Sequence, residues 1–379
     1  MTELPVDPAQ PPAEPTLPPA SDGPEPPARR PWARALLRHL NQLFLLVGLV
    51  LFVVLLMRLN AKEVARELAR VGWMFVPAFG FYVLNVGFAA ASWTACVDPE
   101  RSTATFWDHF RAHWAGTAMN AVTPGGGVGE VLKAQLVGEK LDGDELVASL
   151  IAYNVLNAAV IAAAAVVGAA VCVIWLDVPR AATLPVLGVA VLLAVGFAVL
   201  AWLIRKGAVA RALAAVKRLP GVHISDESAI LDKARAIDAR MGALMRRRPR
   251  AVRAALGWGL CVRLCQIGEV GFLLYPLIGG RHVVLLAVLM QTVSQIINWA
   301  AAFIPGKLGV LEAGNIGLFK LAGLDPTAAF AVVLARRVRT ILGIGIGLLL
   351  GLQVLLARRR TERAAKRRAS ATEPTSGRT

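Results

Sequence analysis

The chain has 379 residues, 56% of them hydrophobic and only 17% charged, with a formal net charge of +16. Soluble domains carry about 25% charged residues, and a soluble fold of this length cannot hide so much apolar surface. The basic charge does not argue for nucleic acid as a partner, because the Lys and Arg residues stand between and beside apolar runs, where a membrane protein meets anionic lipid headgroups.

In chain order, residues 1–35 open with a Pro-, Ala- and acid-rich stretch that cannot bury enough surface to offset its ordering entropy. They are expected to form a disordered cytoplasmic tail. The run 43–57 follows too long a Pro-rich stretch to be a signal peptide and reads as a first anchor helix. Further apolar runs lie at 73–96, 146–175, 181–204, 254–279, 283–303 and 328–357, against the ~20 residues a helix needs to cross the hydrocarbon. Segment 104–122 is weaker, because it contains Asp108, His109, Arg111 and His113. A polar basic loop, 205–253, carries an amphipathic helix expected to start after Ser225 or Asp226, either of which would cap its first turn. The basic stretch 358–379 reads as a second disordered tail. Cys96, Cys172, Cys261 and Cys265 sit in or beside apolar runs without further ligands at metal spacing, so neither metal nor cofactor is expected.

Positive charge marks the N-terminal flank, the central loop and the C-terminal tail, and the positive-inside tendency would put all three in the cytoplasm. Eight simple crossings cannot achieve this. The conflict disappears if 104–140 and 283–322 are hairpins, each entering and leaving on one face, the first open to the cytoplasm and the second to the outside. Arg58, Arg66 and Arg70 count against this topology, since they place positive charge on the outer side.

Two segments at these hairpins look alike. Thr123-Pro124-Gly125-Gly126-Gly127-Val128-Gly129-Glu130 is matched by Ile304-Pro305-Gly306-Lys307-Leu308-Gly309-Val310-Leu311-Glu312. Each leads through a short mixed helix to an acidic turn, Leu141-Asp142-Gly143 and Leu324-Asp325-Pro326, and then to a long apolar helix. Pro removes an amide donor and Gly loosens the backbone, so neither segment continues a straight spanning helix. Such backbone at membrane depth is tolerated only inside protein or against a water-filled cavity. Tight interhelical turns would also account for them. The matching glutamates and acidic turns favour a duplication, giving an all-α polytopic membrane bundle with two broken, re-entrant Pro-Gly segments in an inverted repeat. Alternating-access transporters are built this way, and the ends of broken helices offer amides or carbonyls to a polar substrate group.

Ionisable residues inside apolar spans are the candidate site, since each costs several kcal/mol at the bilayer centre. Arg336, Arg337 and Arg339 lie well inside 328–357, with Arg336 and Arg339 on one face and Arg337 about 100° away. They would either hold a lipid phosphate or pair with Glu312 or Glu269. Arg263 and Glu269, six residues apart, do not face each other and should find partners on other helices. Glu130 and Lys133 are one turn apart and could pair locally, while Lys307 and Glu312 flank the second segment. Gln291, Gln295 and Asn298 form a stripe on one helix, and Asn154 and Asn157 share a face of another.

The Pro124–Glu130 segment, with Asn120 before it and Lys133 after it, resembles a hallmark of the lysylphosphatidylglycerol synthase transmembrane-region family, also called flippase-like proteins. Pro305-Gly306…Gly309-Val310-Leu311-Glu312-Ala313 resembles its second motif, and the resemblance covers most of 36–357. It implies a lipid translocator in a bacterial cytoplasmic membrane. In the full-length synthases this region moves an aminoacylated lipid that a soluble transferase domain makes. The chain ends soon after its last span, so lipid aminoacylation is not expected. A stand-alone branch is associated with hopanoid biosynthesis, so the implied cargo is a phospholipid, an aminoacyl-phospholipid or a hopanoid, and enzymes of lipid biosynthesis are implied partners. A membrane enzyme acting on lipid is the alternative, though no nucleophile–base pair or metal cluster is legible. A structural subunit that recruits such enzymes is the third reading.

Overall fold

The structure, a computed structural model, describes residues 69–123, 127–175, 227–280, 282–300 and 310–372, together with residues 62, 66, 188, 191, 195 and 196. Among them the secondary structure is helical: α1 (Phe75–Cys96), α2 (Phe106–Val122), α3 (Val128–Val137), α4 (Gly143–Trp175), α5 (Glu227–Arg247), α6 (Pro249–Ile278), α7 (Val283–Ala300), α8 (Val310–Leu321) and α9 (Pro326–Thr372). Among the described residues four stretches are long and apolar enough to cross a membrane: Ala69–Cys96, Gly143–Val171, Pro249–Ile278 and Pro326–Arg358. Their outward faces carry exposed Leu84, Leu260, Leu264, Leu349 and Leu352, a liability in water and the expected lining against lipid. The expected spans 43–57 and 181–204, the tail 1–35 and the start of the loop at 205–226 lie outside the described residues, or are described only at isolated positions.

The element order repeats. A span (α1 or α6) is followed by a short helix (α2 or α7), a second short helix (α3 or α8), an acidic turn and a long helix (α4 or α9). Asp325 caps the last of these, accepting from the Thr327 amide at 2.9 Å, and the Asp142 carbonyl accepts from Leu146 N at the start of α4. The two helical hairpins enter the bundle from opposite ends. Arg248, between α5 and α6, donates to the Val97 carbonyl just after α1 at 3.0 Å. Arg240 of α5 lies 3.6 Å from Asp144 at the start of α4. Arg358, late in α9, donates to the Gln135 carbonyl at the end of α3 at 2.8 Å. The mouth of the α2–α3 hairpin, the amphipathic helix α5 and the basic end of α9 therefore share one face. Since α6 runs from that face and α9 runs towards it, the α7–α8 hairpin between them opens on the other.

The hairpins pack reciprocally, α2 against α9 and α7 against α4. Each crossing rests on a glycine of the long helix, because small residues let helices in a bilayer approach closely. A Cβ on Gly347 of α9 would stand 2.7 Å from the Ala118 methyl, and one on Gly168 of α4 would overlap Thr292. The Trp114 indole fastens the first crossing by donating to the Gly343 carbonyl at 2.8 Å. Within the first hairpin the backbones of Gly116 and Gly129 touch, so a Cβ on Gly129 would overlap the Gly116 carbonyl oxygen. Gly127, at φ 118°, turns the chain into α3 through a conformation that favours glycine.

Two apolar cores result. One gathers Trp93, Met119, Leu132, Leu136, Leu150 and Leu348 at the α5 face. The other gathers Val71, Ala78, Val270, Leu273, Met290 and Phe319 towards the opposite face. Two sequence expectations need correction. The helix expected from 254 begins at Pro249, so Arg250 and Arg253 belong to α6 and not to the loop. The stretch read as a disordered tail from 358 continues α9 as helix to Thr372. Its Ala, Arg, Lys and Glu residues are good helix formers that extend a helix already nucleated in the span.

At the mouth of the first hairpin Thr105 and Asp108 form a capping box, and Lys140 reaches the Asp108 carboxylate at 2.8 Å. Partial burial opposes ionisation of Asp108, but the hydrogen bonds from Lys140 and Thr105 outweigh it and hold the carboxyl down from 3.8 to about 2. A depressed carboxyl stabilises the fold above its unfolded value and loses that contribution as pH falls through its folded value. Thermal midpoints should therefore fall between pH 4 and pH 2 in the wild type, and the fall should be smaller over that window in Asp108→Asn. Equal slopes would refute the pairing. In the same assay Gly129→Ala should cost about 1–3 kcal/mol by overpacking. Gly257→Ala, where a Cβ meets nothing within 4 Å, should be neutral or stabilise by up to about 1 kcal/mol.

Candidate functional site

Between the two apolar cores the helices turn polar. On α1 this level holds Tyr82 and Asn85, on α6 Arg263, Gln266 and Glu269, and on α9 Arg336, Arg339 and Thr340. Hydrocarbon cannot satisfy polar groups at this depth, so they must find partners within the protein or line a polar cavity.

The half of this belt next to the second hairpin centres on Glu269, whose side chain is only 2% exposed. Arg339 donates to its Oε1 from Nε at 2.9 Å and approaches the same oxygen from Nη2 at 2.8 Å. Arg336 Nε stands 3.6 Å from that oxygen. Helical spacing puts both arginines on one face of α9, with Arg337 about 100° around the helix from Arg336. Arg336 also donates to Gln291 Oε1 at 3.0 Å and reaches Ser294, which is bonded in turn to Asn315 of α8. Gln291 donates to Gln266 at 2.9 Å. The Arg339 guanidinium lies 4.5 Å from the centre of the Tyr82 ring, which meets Trp114 edge-on. Tyr82 thereby links the Glu269 cluster to the first hairpin.

The other half belongs to the first hairpin. Lys133, 3% exposed, pairs with Glu130 Oε1 at 2.7 Å. Glu130 Oε2 accepts from Asn154 of α4 at 3.3 Å, and both Glu130 and Asn154 keep an open side. Asn120 holds the turn: its Oδ1 accepts from the amides of Gly127 at 2.9 Å and Gly129 at 2.7 Å, and its Nδ2 reaches Glu130 at 3.4 Å. The expectation of free amides at this broken helix is thus corrected for Gly127 and Gly129, because an asparagine from the preceding helix already satisfies them. His113 packs edge-on to Tyr153 at 5.6 Å, and His109 Nδ1 donates to the Thr105 carbonyl at 2.9 Å. Arg263 lies between the halves, donating to Gln295 of α7 at 3.4 Å, within electrostatic reach of Tyr153 on α4.

Of the residues picked out in the sequence, the structure joins Arg336 and Arg339 to Glu269, Glu130 to Lys133 and Arg263 to Gln295. Gly129 is the close-contact point of the first hairpin. Asn298 continues the α7 stripe, partly buried. Pro124, Gly125, Pro305, Gly306, Lys307 and Gly309 lie outside the described residues, as does the side chain of Glu312. Sequence reasoning missed Tyr82, Ser294, Asn315, Gln266 and the capping role of Asn120. A lone polar residue on an apolar face was the only signal for the first four, while Asn120 stood in the motif itself. A separate surface pocket of about 610 Å³, lined by Arg101, Ser102, Glu139 and Lys140 among others, opens at the hairpin mouth, away from the belt.

The family model described as the lysylphosphatidylglycerol synthase TM region matches residues 42–347, spanning both hairpins and the whole belt. The chain belongs to this family. No curated protein and no solved structure matches it significantly. At the level the family supports, this is a multi-pass membrane protein of lipid metabolism or transport, and the belt is its most polar intramembrane feature among the described residues.

Removing Glu269 should show how much the belt supports the fold. Glu269→Gln leaves two guanidiniums facing a neutral amide and should cost about 3–5 kcal/mol. Glu269→Gln combined with Arg339→Gln should recover part of that loss. Denaturant unfolding of the purified variants measures both, and a double variant no more stable than the single one would contradict the pairing.

Proposed function

We propose that the chain moves a lipid headgroup between leaflets through the polar belt while the acyl tails stay in the bilayer. The observation that carries this is the pair of opposed hairpins, the first holding the Glu130–Lys133 pair and the second joined through Gln291 to Arg336 of the Glu269 cluster. Hairpins of opposite orientation give a bundle two entrances to one polar interior, the construction on which alternating access rests. Glu130 and Asn154, with their open side, receive the headgroup at one entrance. Arg336 and Arg339 present paired donors suited to a phosphate or other oxyanion, and Glu269 offsets one of their two charges when no cargo is bound. A guanidinium that exchanges a carboxylate for a cargo oxyanion never has to stand alone in the hydrocarbon, which lowers the barrier to passage.

The cargo is a membrane lipid, either a phospholipid, an aminoacyl-phospholipid or a hopanoid, and no covalent bond is made or broken. The setting is a bacterial cytoplasmic membrane with α5, the mouth of the first hairpin and the basic end of α9 on the cytoplasmic side, as the positive-inside tendency favours. That face is also where enzymes of lipid biosynthesis would meet the chain.

Vesicles reconstituted with the purified chain and a headgroup- or tail-labelled fluorescent phospholipid test this. An impermeant quencher added outside should extinguish the inner-leaflet pool as the chain carries it to the outer leaflet, and should leave that pool protected in protein-free vesicles. Arg339→Gln should slow that exchange by about tenfold, the equivalent of one charge-assisted hydrogen bond at ~1.4 kcal/mol. Inner-leaflet lipid that stays protected would refute the transporter reading, and lipid recovered with altered mass would replace it with the enzyme.

A further inference from the structure

Arg263 differs from the other belt cations described above. Lys133 has Glu130, and Arg336 and Arg339 share Glu269. Arg263 is 7% exposed, yet no carboxylate stands within ion-pair distance of it among the described residues. Its single hydrogen bond runs from Nη1 to Gln295 Oε1 at 3.4 Å, and its buried Nε–H meets no acceptor. A guanidinium carries five N–H donors and stays charged at any pH the protein meets. Most of its hydrogen-bonding capacity is therefore unused. Gln295 presents its oxygen to Arg263, so its NH₂ group is free to add donors beside the guanidinium; that group has no acceptor among the described residues.

The position sharpens the point. Arg263 is ~21 Å along α6 from Pro249 and ~22 Å from Ile278, at 1.5 Å per residue. It is thus at the middle of the span, the depth at which an uncompensated charge is most costly. The nearby carboxylates are committed elsewhere. Glu269 is six residues further along α6 on another face, and Glu130 is engaged by Lys133. Tyr153, within electrostatic reach, is a neutral phenol at ordinary pH. A buried cation that lacks a counter-charge among the described residues but keeps a fork of free donors is complementary to a compact anion.

We infer that Arg263 and the Gln295 amide form an anion site at the middle of the membrane, taking an oxyanion or halide, either a lipid phosphate or a free ion. The inference is independent of lipid movement, because occupancy is read on the resting protein. If the occupant is a lipid phosphate, the site is a mid-transit station for the cargo. If it is a free ion, the site is a counterion seat that holds α6 to α7.

Thermal unfolding of the purified, delipidated full chain, followed by tryptophan fluorescence, tests the site. In one arm chloride and then phosphate replace isethionate, a bulky weakly coordinating anion, at constant ionic strength. In the other arm phosphatidylglycerol is compared with diacylglycerol of the same acyl chains in isethionate. The wild-type midpoint should rise saturably by a few degrees in at least one arm, as binding to the folded state requires. A rise with chloride or phosphate identifies a free ion, and a rise with phosphatidylglycerol but not with diacylglycerol identifies a lipid phosphate. Arg263→Gln should abolish the response. Gln295→Glu, which sets a carboxylate beside the guanidinium, should abolish it too while unfolding no earlier than the saturated wild type, and it decides the matter if Arg263→Gln does not fold. A wild-type midpoint indifferent to every anion and lipid, or a Gln295→Glu chain that responds as the wild type does, would overturn the site. Vesicles that move no lipid would leave this result standing and remove only the transport reading.

Discussion

One carboxylate shared by two guanidiniums, deep in the bundle, sets the terms for the rest of the structure. Glu269 on α6 holds Arg339 at 2.8 Å and Arg336 at 3.6 Å from α9. A membrane interior offers no water to share those charges, so the helices that carry them must stay together. The remaining donors of Arg336 then recruit Gln291 and Ser294, which ties the second hairpin to the same centre. Arg339 also lies over Tyr82, and Tyr82 against Trp114 brings in the first hairpin. A network that begins as partial charge neutralisation thus ends as the register of five helices, α1, α2, α6, α7 and α9.

Packing supports the same register by different means. Lipid tails are as apolar as leucine, so spans associate through close van der Waals contact and not through the hydrophobic effect. Gly168 and Gly347 allow the close approach where each hairpin crosses a long helix, and Gly116 and Gly129 let the two helices of the first hairpin meet. The two apolar cores lie above and below the belt and leave a polar layer between them, the reverse of a soluble domain, where the apolar core is central. Such a layer is expensive unless it has a task, and intramembrane charge is by default a site of function.

Much of this was legible in the amino-acid sequence, and what was not has a physical cause. Four spans, both hairpins and both acidic turns follow from hydropathy and from Pro-Gly punctuation. The Glu130–Lys133 pair and the common face of Arg336 and Arg339 follow from helical spacing, a local property. That Glu269 meets Arg336 and Arg339 is a contact between helices far apart in the chain, and spacing along one helix cannot predict it. The Asn120 clamp escaped for a similar reason: an asparagine before a glycine turn reads as one more turn former until its oxygen is seen on two amides. The helix beyond residue 358 is not legible because charge density suggests disorder, whereas a preformed span removes the nucleation cost that would keep those residues from becoming helical.

The central claim is that one polar belt is reached from opposite faces by two opposed hairpins. Single cysteines at Asn154, beside the first hairpin, and at Gln291, on the second, test it in a chain whose four native cysteines are replaced. Sealed vesicles of known orientation would be exposed to a membrane-impermeant thiol reagent from one side at a time. The cysteine at 154 should react from the face that carries α5, and the cysteine at 291 from the other. Reaction of both from the same side would contradict the opposed arrangement and the account built on it.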